Sequence, residues 1–241
     1  MIRTALRRVV GRSPAQTARW VRFHLYELYR ERRLGVRTAA FAPGGDAISD
    51  ENERYEPTCY RCVEEALDDL EIDPGRDVFV DYGCGKGRAV AVAATRPFRK
   101  AIGVELSEPL AADARENLRR SAGTHRCGGW EIVVADAAAY AVPADVTVIF
   151  LFNSFHGSVL RAALEQVRRS WESRPRPLAI LYKIPAGQAD LLAEIDWLTR
   201  RRETALPNCR WEGMRLLIYE PADLGEPDRS AEAGVPDEDR G

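Results

Sequence analysis

The chain has 241 residues, 45% hydrophobic and 30% charged, with a formal charge of -2 and a pI near 6.0. That length suffices for one well-buried α/β domain and is short for two, and no apolar run approaches the ~20 residues of a membrane-spanning helix. The near-even charge balance supplies no global basic field, which argues against a nucleic-acid partner unless a local patch provides one.

Lysine occurs only at Lys86, Lys100 and Lys183, all other cations being arginine, a pattern of coding bias more than of function. The cysteines, Cys59, Cys62, Cys84, Cys127 and Cys209, form an odd set with no regular framework. They read as reduced thiols, which points to a cytoplasmic setting. Cys59 and Cys62 make a C-x-x-C, a spacing used in redox and half-zinc sites, but no second pair answers it and its surroundings look helical. Chance spacing is the expectation.

Residues 1–57 divide into an Arg-rich segment and an irregular one. Up to about Arg33, Trp20, Phe23, Tyr26, Leu28 and Tyr29 recur at helical spacing. A targeting peptide or a surface-binding helix has this composition; the reading adopted is a basic helix that docks its aromatic side on the domain and leaves its arginines in water. From Leu34 to Glu56 the period is lost and Gly, Pro, Asp and Asn accumulate, as in a lid-like loop closing over a ligand. Thr58 is placed to cap a helix over 61–70, which stops at Asp73-Pro-Gly75.

Val78 to Arg88 then reads Val-Phe-Val-Asp-Tyr-Gly-Cys-Gly-Lys-Gly-Arg. A buried strand ends at Asp81, a turn carries Gly83, Gly85 and Gly87, and a helix over 89–94 follows at once. Glycines at such a turn permit positive φ and close approach of a ligand, and the helix start favours an anionic group. Ala101 to Glu105 is a second strand closed by an acid about 20 residues beyond the glycines, where ribose hydroxyls are held in nucleotide-binding βαβ units.

Further on, Ser107 caps a helix reaching Arg120, and 131–134 is a third strand followed by Asp136 and Ala137. The run 146–152 is the most continuous apolar stretch, as expected of a central strand covered on both faces. It leads into Asn153-Ser-Phe-His156. A helix over 158–171, a strand over 178–182, a helix near 188–198 and a hairpin of strands 200–206 and 214–219 around Pro207-Asn208 complete the pattern. From Pro221 onward the chain is acidic and poor in large apolar groups, the composition of a disordered tail. Alternating strands and helices imply an α/β, doubly wound, mostly parallel sheet, with Asp81, Glu105, Asp136 and Asn153 on one rim beyond the strand ends.

The glycine turn lacks the spacing and the hydroxyl of a P-loop, which removes a kinase or ATPase reading, and its G-x-G-x-G is one residue tighter than the dinucleotide fingerprint. Asp81 to Arg88 with Gly103-Val-Glu105 resembles motif I and the second-strand acid of class I S-adenosylmethionine-dependent methyltransferases. The resemblance covers about Tyr55 to Tyr219 and implies a seven-stranded Rossmann-like sheet with an antiparallel last strand. Leu34-Gly-Val-Arg-Thr38, Tyr55-Glu-Pro-Thr58 and Phe150 to Phe155 resemble a small bacterial group of these enzymes and, more distantly, protein-lysine methyltransferases.

The resemblance implies S-adenosyl-L-methionine as cofactor, held by Asp81, Gly83, Cys84, Gly85, Gly87, Glu105, Asp136 and Ala137, with Asp81 at its amino group, Glu105 on the ribose and Asp136 with Ala137 at the adenine. Asn153 and Phe155 stand where amino-group methyltransferases carry an Asn or Asp and an aromatic residue, although Ser154 replaces the expected proline. The implied domain spans 58–220, preceded by the helix and loop of 1–57 and followed by the tail of 221–241. The expected activity is direct methyl transfer, without a metal, to a nucleophile such as a protein lysine or a small-molecule amine. An NAD(P)-dependent oxidoreductase and a non-catalytic cofactor-binding module remain the alternatives.

Overall fold

A computed structural model describes residues 13–39, 55–152 and 155–222. Seven strands, β1 (Val78–Tyr82), β2 (Lys100–Glu105), β3 (Trp130–Val134), β4 (Val146–Phe152), β5 (Ala179–Pro185), β6 (Leu198–Ala205) and β7 (Met214–Pro221), form one sheet in the order β3-β2-β1-β4-β5-β7-β6. The first five run parallel, and β7 lies antiparallel to both of its neighbours. The helices are α1 (Pro14–Leu34), α2 (Tyr60–Asp68), α3 (Arg88–Ala94), α4 (Glu108–Arg120) and α5 (Gly157–Ser173). The doubly wound α/β sheet with its antiparallel last strand is the one expected.

Strand alternation divides the core between the two faces of the sheet. Phe79 points to one face, where its ring lies 5.6 Å from that of Phe98 and 6.5 Å from that of Phe150, and α2, α3 and α4 cover them. Val78, Val80 and Tyr82 point to the other, beneath Leu160, Leu164 and Val167 of α5. All five residues of β1 are buried, which is why its sequence reads as a continuous apolar run interrupted only by Asp81. The outer strand β6 carries exposed Arg200, Arg201, Arg202 and Glu203.

At the start of α1, Ser13 and Gln16 make a reciprocal capping box, and Gly35 ends the helix in the left-handed conformation with φ 74°. The helix docks differently from the expectation. Phe23 and Tyr26 do pack on the core, but Leu28 and Tyr29 are exposed, and the polar contacts come from acids: Glu27 accepts from the Tyr60 amide at 2.9 Å and Glu31 from the amides of Thr38 and Ala39.

Four other readings are corrected. Residues 188–198 form no α-helix; a 3-10 turn at Leu191–Glu194 buries Leu192, and β6 begins at Leu198, so their apolar spacing serves a connection that anchors Leu192 and Trp197 in the core. Thr58 does not cap α2: Cys59 is the N-cap residue, and the Thr58 hydroxyl accepts from Lys183 Nζ at 3.0 Å. Ser107 is the N-cap residue of α4 but makes no side-chain cap. Cys59 and Cys62 are joined as a disulfide instead of standing as free thiols. The tail proposed from Pro221 onward lies outside the described residues beyond 222.

Candidate functional site

The order of the strands reverses between β1 and β4, and a crevice beyond the carboxyl ends of strands at such a point is where doubly wound sheets hold ligands. The glycine turn occupies that position. Gly83, Gly85 and Gly87 have φ of 68°, 53° and 77°, a region open to glycine and costly for residues with a Cβ. The amides of Gly83 and Cys84 donate to Val104 O at 2.8 and 3.0 Å, which ties the turn to β2. Gly87 is the N-cap of α3, and a Cβ there would sit 3.0 Å from Ala114 Cβ, so this glycine lets α3 and α4 pack closely.

Glu105, at the end of β2, reaches across this turn. Its Oε2 accepts from the Gly85 amide at 2.7 Å and its Oε1 from the Ser107 amide at 2.9 Å. Burial pushes its carboxyl up from the ordinary range, and the backbone hydrogen bonds act in the opposite sense. Asp81 is buried beside it, and desolvation followed by the Glu105 charge raises its carboxyl well above the usual value. Among the described residues Asp81 makes no ion pair and no side-chain hydrogen bond. Two neighbouring buried carboxylates with no ion-pair partner among the described residues are a costly arrangement, and one suited to a ligand bringing a cation and hydroxyl donors.

The other expected residues are placed as follows. Cys84 turns its side chain under the loop toward β2, where its Sγ would lie 2.7 Å from a Cβ on Gly103, and burial pushes its thiol up. Its backbone alone therefore faces the turn. Ala135 donates to Glu105 O at 3.0 Å, bringing the end of β3 onto the same rim; Asp136 there is exposed and accepts from the Ala138 amide, and Ala137 is buried. Phe155 stacks edge-on against Tyr82, 6.2 Å between centroids, with Tyr140 on the same ring at 5.9 Å. Asn153 lies outside the described residues, with Ser154. Lys86 is drawn away from the turn into an ion pair with Asp113 at 3.1 Å, in keeping with the absence of a P-loop.

Sequence reasoning missed what braces the turn from above. Arg88, the first residue of α3, is buried and donates to Thr38 Oγ1 at 2.7 Å, Thr58 O at 2.7 Å and Glu27 Oε2 at 2.5 Å, with Glu31 at 3.5 Å and the Tyr60 ring 4.3 Å away. Tyr55 donates to Thr38 O at 2.7 Å and lays its ring over Gly85. The signal was present in the stretches Leu34 to Thr38 and Tyr55 to Thr58, but their partner could not be read from local pattern. Residues 34–39 and 55–58 thus pack on the turn; the intervening part of the expected lid, 40–54, lies outside the described residues.

A Cβ at Gly85 would meet Tyr55 Cε2 at 2.3 Å. Gly85→Ala is therefore expected to lower stability by the left-handed cost of about 1–2 kcal/mol plus the cost of displacing the ring. Urea denaturation of Gly85→Ala with and without Tyr55→Ala separates the two, since only the steric part is relieved by removing the ring. An equal loss in both backgrounds would show that the ring is not responsible.

A family model described as a methyltransferase domain matches residues 79–173. No curated protein matches the chain. Among solved structures, a precorrin 8w decarboxylase from Methanobacterium thermoautotrophicum is 19% identical with a TM-score of 0.50, over 70% of this chain and 93% of that one. An uncharacterized protein from Listeria monocytogenes serotype 4b is 15% identical with a TM-score of 0.50, over 69% and 70%. An RNA methyltransferase from Salinibacter ruber, solved with S-adenosyl-L-homocysteine, is 19% identical with a TM-score of 0.48, over 72% and 97%. At these identities the two structures with a TM-score of 0.50 speak to fold alone, and the family match to the segment holding the glycine turn, Glu105 and β4. The segment holding the glycine turn and Glu105 is similar to a methyltransferase domain, on a sheet of matching strand order, and S-adenosyl-L-methionine is the cofactor that this similarity indicates.

Proposed function

We propose that the protein transfers a methyl group directly from S-adenosyl-L-methionine to an amine, either a protein lysine or a small-molecule amine. The observation that supports the cofactor half is the pair of buried carboxylates, Asp81 and Glu105, beside a turn of three glycines with positive φ at the carboxyl end of β1. Asp81 would face the amino group, Glu105 the ribose diol, Gly83, Gly85 and Gly87 the methionine part, and Asp136 with Ala137 the adenine. When bound, the cofactor supplies a methyl carbon already activated by a sulfonium.

What remains for the chain is alignment, desolvation and exclusion of water. Phe155, held edge-on by Tyr82, is assigned to the wall beside the reacting centre, and Asn153 to orienting the acceptor nitrogen. The assignment of Asn153 rests on its place in the sequence after β4. Tyr55 and Thr38, packed over Gly85 through the Arg88 cluster, would limit water on the donor side.

The test uses the full chain, tritiated S-adenosyl-L-methionine and a cell extract separated into protein, nucleic-acid and small-molecule fractions. Label is expected in the protein or the small-molecule fraction, at acid-stable positions as N-methylation requires. Label confined to nucleic acid would overturn the acceptor class, and cofactor binding without label in any fraction would leave a binding module in place of an enzyme.

A further inference from the structure

The sulfur atoms at the start of α2 belong to a cluster that the cofactor site does not use. Cys59 is the N-cap residue of α2, with extended backbone, and Cys62 stands in the first turn, so the two side chains fall on one side of the helix and are bonded. Cys209, in the connection between β6 and β7 and 150 residues further along, places its Sγ 3.5 Å from that of Cys59. All three sulfurs lie within 4.8 Å of one another, and all three residues are buried. A bonded pair with a third thiol in van der Waals contact is the arrangement that thiol–disulfide exchange requires.

We infer that Cys59, Cys62 and Cys209 form a thiol–disulfide exchange site whose external reductant is a small thiol or dithiol. Exchange proceeds by attack of the Cys209 thiolate on Cys59 Sγ: the Cys59–Cys209 bond forms, the Cys59–Cys62 bond breaks, and Cys62 leaves as a thiolate that takes up the proton Cys209 gave. No electrons are gained or lost. Opening to three thiols takes two electrons and two protons from the external thiol pair, which is itself oxidised to a disulfide.

Two further features suit this chemistry. Lys183 Nζ lies 3.8 Å from Cys59 Sγ and also interacts with the Cys209 side chain, so a cationic group stands beside the two sulfurs that become joined. On the other side, a cleft of about 280 Å³ between α1 and the connection after β6 is lined by Cys209 with Arg19, Trp20, Phe23 and Arg210, which sets the residue of the attacking sulfur at the wall of a cleft. A resident metal fits less well. The Lys183 ammonium stands where a cation would be repelled, and the described cluster offers three ligands, not the four of a closed soft-metal site.

Exchange would also change what the cross-link spans, from a separation of 3 residues to one of 150, joining α2 to the β6–β7 connection. Lys183 lies between them, with its Nζ 3.9 Å from the ring centroid of Phe152, the last residue of β4. The sulfurs thus adjoin the acceptor end of the rim.

The test equilibrates the full chain in glutathione buffers of graded redox ratio, quenches with acid, alkylates with N-ethylmaleimide and maps linked peptides by mass spectrometry. The unaltered chain is expected to yield both Cys59–Cys62 and Cys59–Cys209 peptides, with Cys84 and Cys127 alkylated throughout. Cys62→Ser is expected to give Cys59–Cys209 alone, and Cys209→Ser to lose that peptide completely. Alkylation of Cys209 at every ratio in the unaltered chain overturns the inference, whatever the variants do. One equivalent of zinc protecting all three thiols in the reduced chain overturns it in favour of a metal site.

Discussion

Replacing Arg88 with methionine is expected to destabilise the fold by about 3–5 kcal/mol, the range for removing one partner from a buried ion-pair network. Arg88 is 4% exposed and meets Glu27, Glu31, Thr38 and Thr58 from three separate segments. Without the guanidinium, Glu27 and Glu31 are left in a poorly solvated place with no other ion-pair partner among the described residues. Burial already raises the Glu27 carboxyl, with Arg88 holding it down. In Arg88→Met that restraint is gone, so the folded-state pKa of Glu27 rises further above its unfolded value. A carboxyl raised on folding contributes stability below its unfolded pKa and loses it as pH rises through the folded pKa; the deficit of the variant should therefore shrink toward acid. Arg88→Lys keeps the charge but not the planar fork, and should fall between the two. Urea denaturation at two pH values checks both points. A loss below about 1 kcal/mol would mean that the two acids reach water and that the cluster is not a brace.

Glu105→Ala is expected to weaken binding of S-adenosyl-L-homocysteine by about 10–100-fold, the size of a lost charge-assisted hydrogen bond of about 1.5–3 kcal/mol. Because Glu105 also accepts from the Gly85 and Ser107 amides, the substitution loosens the turn as well. Glu105→Gln retains an acceptor for those amides and is expected to recover part of the affinity. Binding should also depend on pH. Burial holds Asp81 and Glu105 above the ordinary carboxylate range, and a ligand ammonium favours the ionised form, so binding releases protons and affinity falls as pH drops through those raised values. Isothermal titration in buffers of different ionisation enthalpy reads affinity and proton release together. Unchanged affinity in Glu105→Ala would remove the ribose assignment.

What could be read in the sequence is what depends on near neighbours. The strands announced themselves because a parallel sheet covered on both faces needs unbroken apolar runs, as in β1 and β4, and the glycine turn because three positive φ angles in five residues admit little else. Glu105 followed from chain geometry, one βα unit beyond the turn. The apolar spacing of residues 188–198 misled because Leu192 and Trp197 anchor a connection, which a helical period imitates over such a short stretch. Arg88, Lys183 and Cys209 were opaque for a different reason. Their roles are set by groups distant in sequence, Thr38 for Arg88, Thr58 for Lys183 and Cys59 for Cys209, and no local pattern encodes such a meeting.

The charged outer strand has a bearing on how the sheet ends. An edge strand offers a ladder of backbone groups to any passing extended chain. On β6 a newcomer would have to displace the hydration of Arg200, Arg201 and Arg202, break the Arg201–Glu220 and Arg202–Asp69 contacts, and bring its own backbone up against a row of like charges. The fold is thereby self-terminating on that side: the arginines that look like compositional excess act as a guard against strand addition.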